Sequence, residues 1–371
     1  MASRTDAKQL LKLKNSIASA RAILQRFQAA LLDSNATPLI AIPADSPHPL
    51  SLLADSSSVL KAQTTKLSLL VINQPYTPSE ITYILQSVTN LCLPALMTAA
   101  ELVPEHRYTA FLHKTIRSGV ARMMREMLSL LDEIPVDERG VEKTRGRDAL
   151  ASTGVVWEAC DAMLRLASTG IVTAVVERVK EYHNLLKDAI EELKEWDGDE
   201  GDEDFLDGSS SERSSTRASK APAKSVDSMA ADMDHLSVSG TSGPPSRDIE
   251  VMKDNVVQAL SLIQLLYPAL IKRRIQRFPN ISSQTKDEDM PSADQMKNLD
   301  QLIGCCQGFT NSADDLAAAL YECDEVEVKN GLDTVKEDAR KCVELVKANW
   351  RGEDDEFSTW IGKWLVKLEE L

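Results

Sequence analysis

The sequence is poor in turn formers and in aromatic residues. Gly and Pro number 15 each among 371 residues, and Phe, Trp and Tyr together make up 5%. So little Gly and Pro disfavours a many-turned β architecture. Few aromatics beside many Leu, Ala, Val, Lys and Glu favour helix over sheet. Positive charge is also short. Lys and Arg number 42 against 57 Asp and Glu, a formal net charge of −15. Non-specific nucleic-acid binding needs cationic side chains to displace counterions, and an anionic membrane surface attracts the same groups. Neither is an expected partner. The six cysteines (92, 160, 305, 306, 323 and 342) include no CxxC pair and no zinc-like pairing with histidine. Free thiols in a reducing compartment follow, cytosolic or nuclear. No run approaches the roughly 18 to 20 uninterrupted apolar residues of a membrane span, and the first twenty residues lack the apolar core of a signal peptide.

Catalytic signatures are missing as well. The chain has no GxxxxGK[ST] loop, GxGxxG turn, GxSxG elbow or HExxH helix. The five histidines are scattered, and although His106 and His113 fall seven apart, zinc normally needs four clustered ligands. Asp314 and Asp315 are adjacent, and neighbours on a helix point about 100° apart, so they cannot act on one site as an acid and base pair. No enzyme, cofactor or metal site is expected.

Helical periodicity is what the sequence has in quantity. Leu10, Leu13, Ile17, Ala20, Leu24, Phe27 and Leu31 step by 3 and 4, one stripe of a helix. Similar stripes run through Leu53–Leu70, Leu112–Ile134, Val172–Leu193, Ile249–Leu266, Met296–Leu320, Leu332–Val346 and Phe357–Leu371. A further helix from about Asp148 to Leu166 carries Trp157, read here as a core anchor. Thr77-Pro78-Ser79-Glu80 reads as a helix start with Thr77 the N-cap and Glu80 closing a capping box, and Ser292 with Gln295 reads as a second box. Pro94 and Pro268 fall inside apolar runs and should kink them. Gly170 either separates two helices or bends one.

Composition breaks once. Residues 197–246 hold twelve Ser, five Gly and three Pro, with eleven acidic and four basic side chains. Such a segment cannot bury enough apolar area to offset its ordering entropy, and reads as a disordered acidic linker. The expected fold is all-α: two antiparallel helical bundles, residues 1–196 and 247–371, joined by that linker. Within it Ser209, which opens Ser209-Ser-Ser-Glu212, and Ser219, in Arg217-Ala-Ser219, are candidate phosphoacceptors. The vicinal Cys305 and Cys306 read as two small residues on a half-buried helix rather than as a redox pair. Lys272, Arg273, Arg274 and Arg277 form a basic run, open to two readings. It is a nuclear-import or anion-binding patch, or a basic helix end that complements the macrodipole before Pro279.

Three segments together carry a resemblance. They are Val155-Val156-Trp157-Glu158-Ala159-Cys160, the helix end Asp188-Ala-Ile-Glu-Glu-Leu that runs into acidic sequence, and Ala313-Asp314-Asp315-Leu316-Ala317-Ala318-Ala319-Leu320-Tyr321. With Ser358-Thr359-Trp360-Ile361 near the end, their order resembles the cyclin-D-binding, or GCIP and Maid-like, family. The resemblance implies talin- or vinculin-like bundles without catalysis. It also implies a nuclear and cytoplasmic regulator that binds a cyclin-like or helix-loop-helix protein and restrains cell-cycle progression. A cytoskeletal or adhesion adaptor built on the same bundle type is the alternative.

Overall fold

The computed structural model describes residues 4–33, 47–73, 75–105, 107–137, 150–196 and 247–371. Among them every regular element is helical. In chain order the α-helices are α1 (Arg4–Leu32), α2 (Pro49–Ile72), α3 (Pro78–Ser87), α4 (Leu93–Glu101), α5 (Ala110–Asp132), α6 (Ala151–Thr169), α7 (Ile171–Glu195), α8 (Arg247–Arg273), α9 (Ala293–Tyr321), α10 (Glu325–Val346) and α11 (Glu356–Glu369). The stripes read from the sequence are the buried faces. Leu13, Leu24, Leu53, Leu60, Leu112, Val120, Val175, Leu186, Val256, Leu260, Val335 and Ile361 are all enclosed.

Neighbouring helices run antiparallel. Arg21 of α1 meets Asp132 near the end of α5, while Arg117 near the start of α5 donates to the carbonyls of Ala30 and Leu31. On α2 and α6, Lys61 pairs with Asp161 and Ser68 meets Thr153 at 2.6 Å. Helices α1 to α6 form a first bundle in this way. At Pro94 the helix continues, through a one-turn π-helix at Val88–Cys92 that joins α3 to α4. The Leu93 N–H reaches back five residues to the Val88 carbonyl. Widening that turn accommodates the proline without ending the helix.

The second bundle departs from the expected division. Helix α7, placed by sequence with residues 1–196, packs on α8 and α9 and belongs with α10 and α11. The chain bends by 117° between α6 and α7. Gly170 sits at the bend with φ of +81°, the left-handed region where a side chain is strained. A Cβ at that position would lie 2.3 Å from Asn280 Oδ1. The break between bundles is therefore at Gly170, and the ends of the 197–246 segment, which lies outside the described residues, attach to one bundle. Trp196 packs edge-on against Tyr321, and the Lys253 ammonium donates to the Trp196 carbonyl and lies 5.8 Å from its ring.

The strap between α8 and α9 holds the two bundles together. The Ile171 amide donates to the Ile281 carbonyl (2.9 Å), the Ser283 amide to Ala167 (2.8 Å), and the Ser51 hydroxyl to Ser283 (2.9 Å). Asp300 of α9 accepts the amides of Ala110 and Phe111, capping α5 from the other bundle.

Two smaller readings also change. Ser292 and Gln295 form the capping box expected of them. Thr77 does start α3, but its side chain makes no cap bond. Its ψ is 87°, whereas the capping residues Thr109 and Ser292 have ψ of 144° and 158°, the extended backbone that swings the hydroxyl over the first turn. Trp157 is only half-buried. The enclosed stripe of α6 is Thr153, Val156, Cys160, Met163 and Ala167, and Trp157 stands beside it. By length and mean hydropathy Pro78–Glu101 and Ile249–Arg277 could cross a membrane, although neither is an uninterrupted apolar run; 50% and 39% of these windows is buried in the protein's own core.

Candidate interaction surface

The basic run at the end of α8 is divided by the fold. Lys272 and Arg277 are exposed and Arg273 is half-exposed, whereas Arg274 is buried. Helix α8 ends at Arg273, and the next side chain turns inward. Arg274 Nε donates to the Val346 carbonyl (2.7 Å) and Nη2 to that of Lys347 (2.9 Å). Its two terminal nitrogens hold Asp355 at 2.8 and 3.0 Å, and the guanidinium lies 4.5 Å from the Phe357 ring centre. Both carbonyls belong to the unpaired end of α10, and Asp355 is the N-cap of α11. Nη1 also donates to the Arg273 carbonyl at the end of α8 (3.1 Å), so one side chain serves three helix ends at once. The Arg274 guanidinium holds the Asp355 carboxyl down at about 2, helped by the Ser358 amide and against the cost of desolvation. Arg274 is therefore withdrawn from the expected import or anion patch, because its donors are already committed inside the protein.

Above this junction α8 and α11 leave a groove of about 530 Å³. Pro268 and Ala269 form its α8 wall. Leu265 and Trp360 stand at its mouth, 60% and 40% exposed. Trp360 stacks on Phe357 with ring centres 5.5 Å apart, which fixes the indole in place. Lys272 and Arg273 line one end, and Glu356 lies 3.9 Å from Arg273. An exposed ion pair of that length contributes little. The result is an apolar slot with cations at one end, on a molecule whose overall charge is negative.

Sequence reasoning found the cations and Pro268 but not the slot. A signal was present: Leu265 falls off the Leu260, Ile263 and Leu266 stripe, and Trp360 off the Phe357, Ile361 and Trp364 stripe. Large apolar residues on the outer face of an amphipathic helix mark a surface for a partner. Other candidates separate in space. Ser209, Ser219 and His106 lie outside the described residues. His113 Nδ1 is tied to the Val103 carbonyl at 2.6 Å, and among the described residues no three His, Cys, Asp or Glu side chains converge. Asp314 and Asp315 are both exposed on α9.

Comparison with known proteins finds a family match for part of the chain. Residues 52–199 match the model described as Grap2 and cyclin-D-interacting, N-terminal. That stretch runs from α2 through α7, and so spans the Gly170 bend. An uncharacterised protein of Schizosaccharomyces pombe is 24% identical over 327 residues, 86% of this chain and 84% of that protein. A cyclin-D1-binding protein 1 homolog of Xenopus laevis is 32% identical over 161 residues, 42% of this chain and 45% of its own length. Residues 52–199, from α2 through α7, are thus similar to the N-terminal domain of the Grap2 and cyclin-D-interacting (GCIP) family.

Proposed function

We propose that this protein acts by binding and not by turnover, as a regulator of cell-cycle or helix-loop-helix transcription proteins. The observation that supports the reading most is the match of residues 52–199 to a family described by its interaction with cyclin D. The Xenopus relative, described as a cyclin-D1-binding protein homolog, supports the same class of partner. The partner in this reading is a protein, with no nucleic acid and no membrane involved, in both nucleus and cytoplasm.

The groove between α8 and α11 suits one contact of such a complex. Its apolar walls suit side chains spaced i, i+3 and i+4 along a partner helix. An acid at one end of that helix would meet Lys272 and Arg273. Aromatic anchors at the centre of an interface carry much of its binding energy. Trp360→Ala should therefore weaken capture by about 2 kcal/mol or more, roughly thirtyfold.

The test is a pull-down with the full chain from nuclear and cytosolic extracts, beside the Trp360→Ala variant. Recovery of cyclin-class or helix-loop-helix proteins supports the regulatory reading. Recovery of actin and adhesion proteins alone overturns it in favour of the adaptor. Equal capture of a cyclin-class partner by both proteins moves the contact away from this groove.

A further inference from the structure

The adjacent cysteines of α9 face different surroundings. Cys306 is wholly enclosed, its carbonyl accepts the Tyr267 hydroxyl at 2.6 Å, and burial raises its thiol far above the ordinary range. Cys305 is about 100° further round the helix. It is half-buried and lines a groove of about 740 Å³ between α9 and α10. Gly304 and Gly308 flank it, and a methyl group added to either would meet no atom within 4 Å. The protein leaves this sulfur open to small molecules.

A second thiol stands behind it. Cys342 on α10 is enclosed, one turn from Asp338 and from Leu345, which line that groove together with Cys305. Lys341 and Asp338 line the same groove. Interaction between the two thiols lowers the pKa of Cys305 despite partial burial, and raises that of Cys342. The thiolate is the nucleophilic form of cysteine. An accessible sulfur with a buried sulfur beside it is the arrangement of an attacking and a resolving thiol.

We propose that Cys305 and Cys342 form a thiol-oxidation site for a peroxide. The Cys305 thiolate attacks one peroxide oxygen, and the O–O bond breaks. The departing oxygen leaves as hydroxide and is protonated to water, and Cys305 becomes a sulfenic acid. The Cys342 sulfur then attacks Cys305 Sγ. The S–S bond forms, the S–O bond breaks, and the Cys342 proton leaves with that oxygen as a second water. Two thiols lose two electrons and one peroxide gains them. The bond staples α9 to α10 and removes the open thiol from the groove. A dithiol reverses it by exchange.

The remaining cysteines provide controls within the same chain. Burial raises Cys92 to about 11 and Cys160 to about 12, and Cys323 is exposed at the turn between α9 and α10. The full chain is treated with hydrogen peroxide at neutral pH, blocked with N-ethylmaleimide, digested without reductant and mapped by fragment mass spectrometry. The expected product is a Cys305–Cys342 link, with Cys305 losing its free thiol roughly tenfold or more faster than Cys160. Dithiothreitol should restore both thiols. Cys342→Ser keeps a hydroxyl donor toward Cys305 but cannot resolve the sulfenic acid, so dimedone should label Cys305 in that variant. A link from Cys342 to Cys306 or Cys323, or oxidation of Cys323 with Cys305 and Cys342 left as free thiols, overturns the proposal. So does peroxide-treated wild-type protein that carries sulfenic or sulfinic Cys305 without the link.

Discussion

At the residue scale Arg274 carries the most. A buried charge is stable only when its donors are used, and this one has three carbonyls and a carboxylate. Removing it strands Asp355 and the end of α10. Arg274→Ala should cost about 3 to 5 kcal/mol, the range for breaking a buried pair, read as a lower urea midpoint. The pair also sets a pH dependence. Asp355 is held at about 2 in the folded protein, below the ordinary aspartate value of about 4. Its folded form therefore binds protons more weakly than the unfolded chain, and the pair's contribution is complete above about pH 4 and is lost as pH falls through about 2. Asp355→Asn keeps a capping oxygen but not the charge, so urea midpoints taken between pH 5 and pH 2 should fall less steeply than those of the wild type. Trp157 gives a contrasting case. It stands beside the enclosed stripe of α6, so Trp157→Ala should cost less than the roughly 3 kcal/mol lower bound for a buried Trp. Thermal melts of the two alanine variants side by side should rank Arg274 well above Trp157.

At the scale of elements, the joint between α6 and α7 decides the architecture. Both helices have ordinary amphipathic stripes, and nothing in either stripe says that they diverge. The turn depends on Gly170 at φ of +81° and on Asn280, which accepts the Val172 amide at 3.2 Å and donates to the Thr169 carbonyl at 2.9 Å. A side chain at Gly170 is penalised twice, by its backbone conformation and by the approach of Asn280. Gly170→Ala should destabilise the protein by about 1 to 3 kcal/mol, with the loss measured in chemical denaturation. An equally stable variant would show that the joint is not held as described.

At the scale of the whole molecule, the position of α7 changes what cleavage should do. If residues 197–246 tethered two separate bundles, a cut there would release them. Instead α7, on the N-terminal side of that segment, is packed into the bundle formed by α8 to α11. Two fragments cut within 197–246 should co-elute on size exclusion in native buffer and separate only in denaturant. Separate elution in native buffer would contradict the packing of α7. Asp300 on the α5 N-terminus and the Ile281 and Ser283 amide contacts add to the same hold.

The sequence by itself determined the helices, their inward faces and most of their ends, because a 3.6-residue period and a proline or cap are local properties of the chain. It also carried the family resemblance, since the order of core segments along the chain is a linear pattern. Only the tertiary structure decided which helices share a bundle. An apolar stripe says that a face is buried, not against what, and α7 fits either bundle on its stripe alone. The same holds for charge and thiols. The run of four bases looks uniform in sequence, but Arg274 turns into the core because the ends of α10 and α11 meet there with unpaired groups. Cys305 gained a neighbour 37 positions away, and not the adjacent Cys306, because antiparallel packing of α9 and α10 brings Cys342 across. Contacts between distant positions depend on how helices pair, and no local spacing encodes that choice.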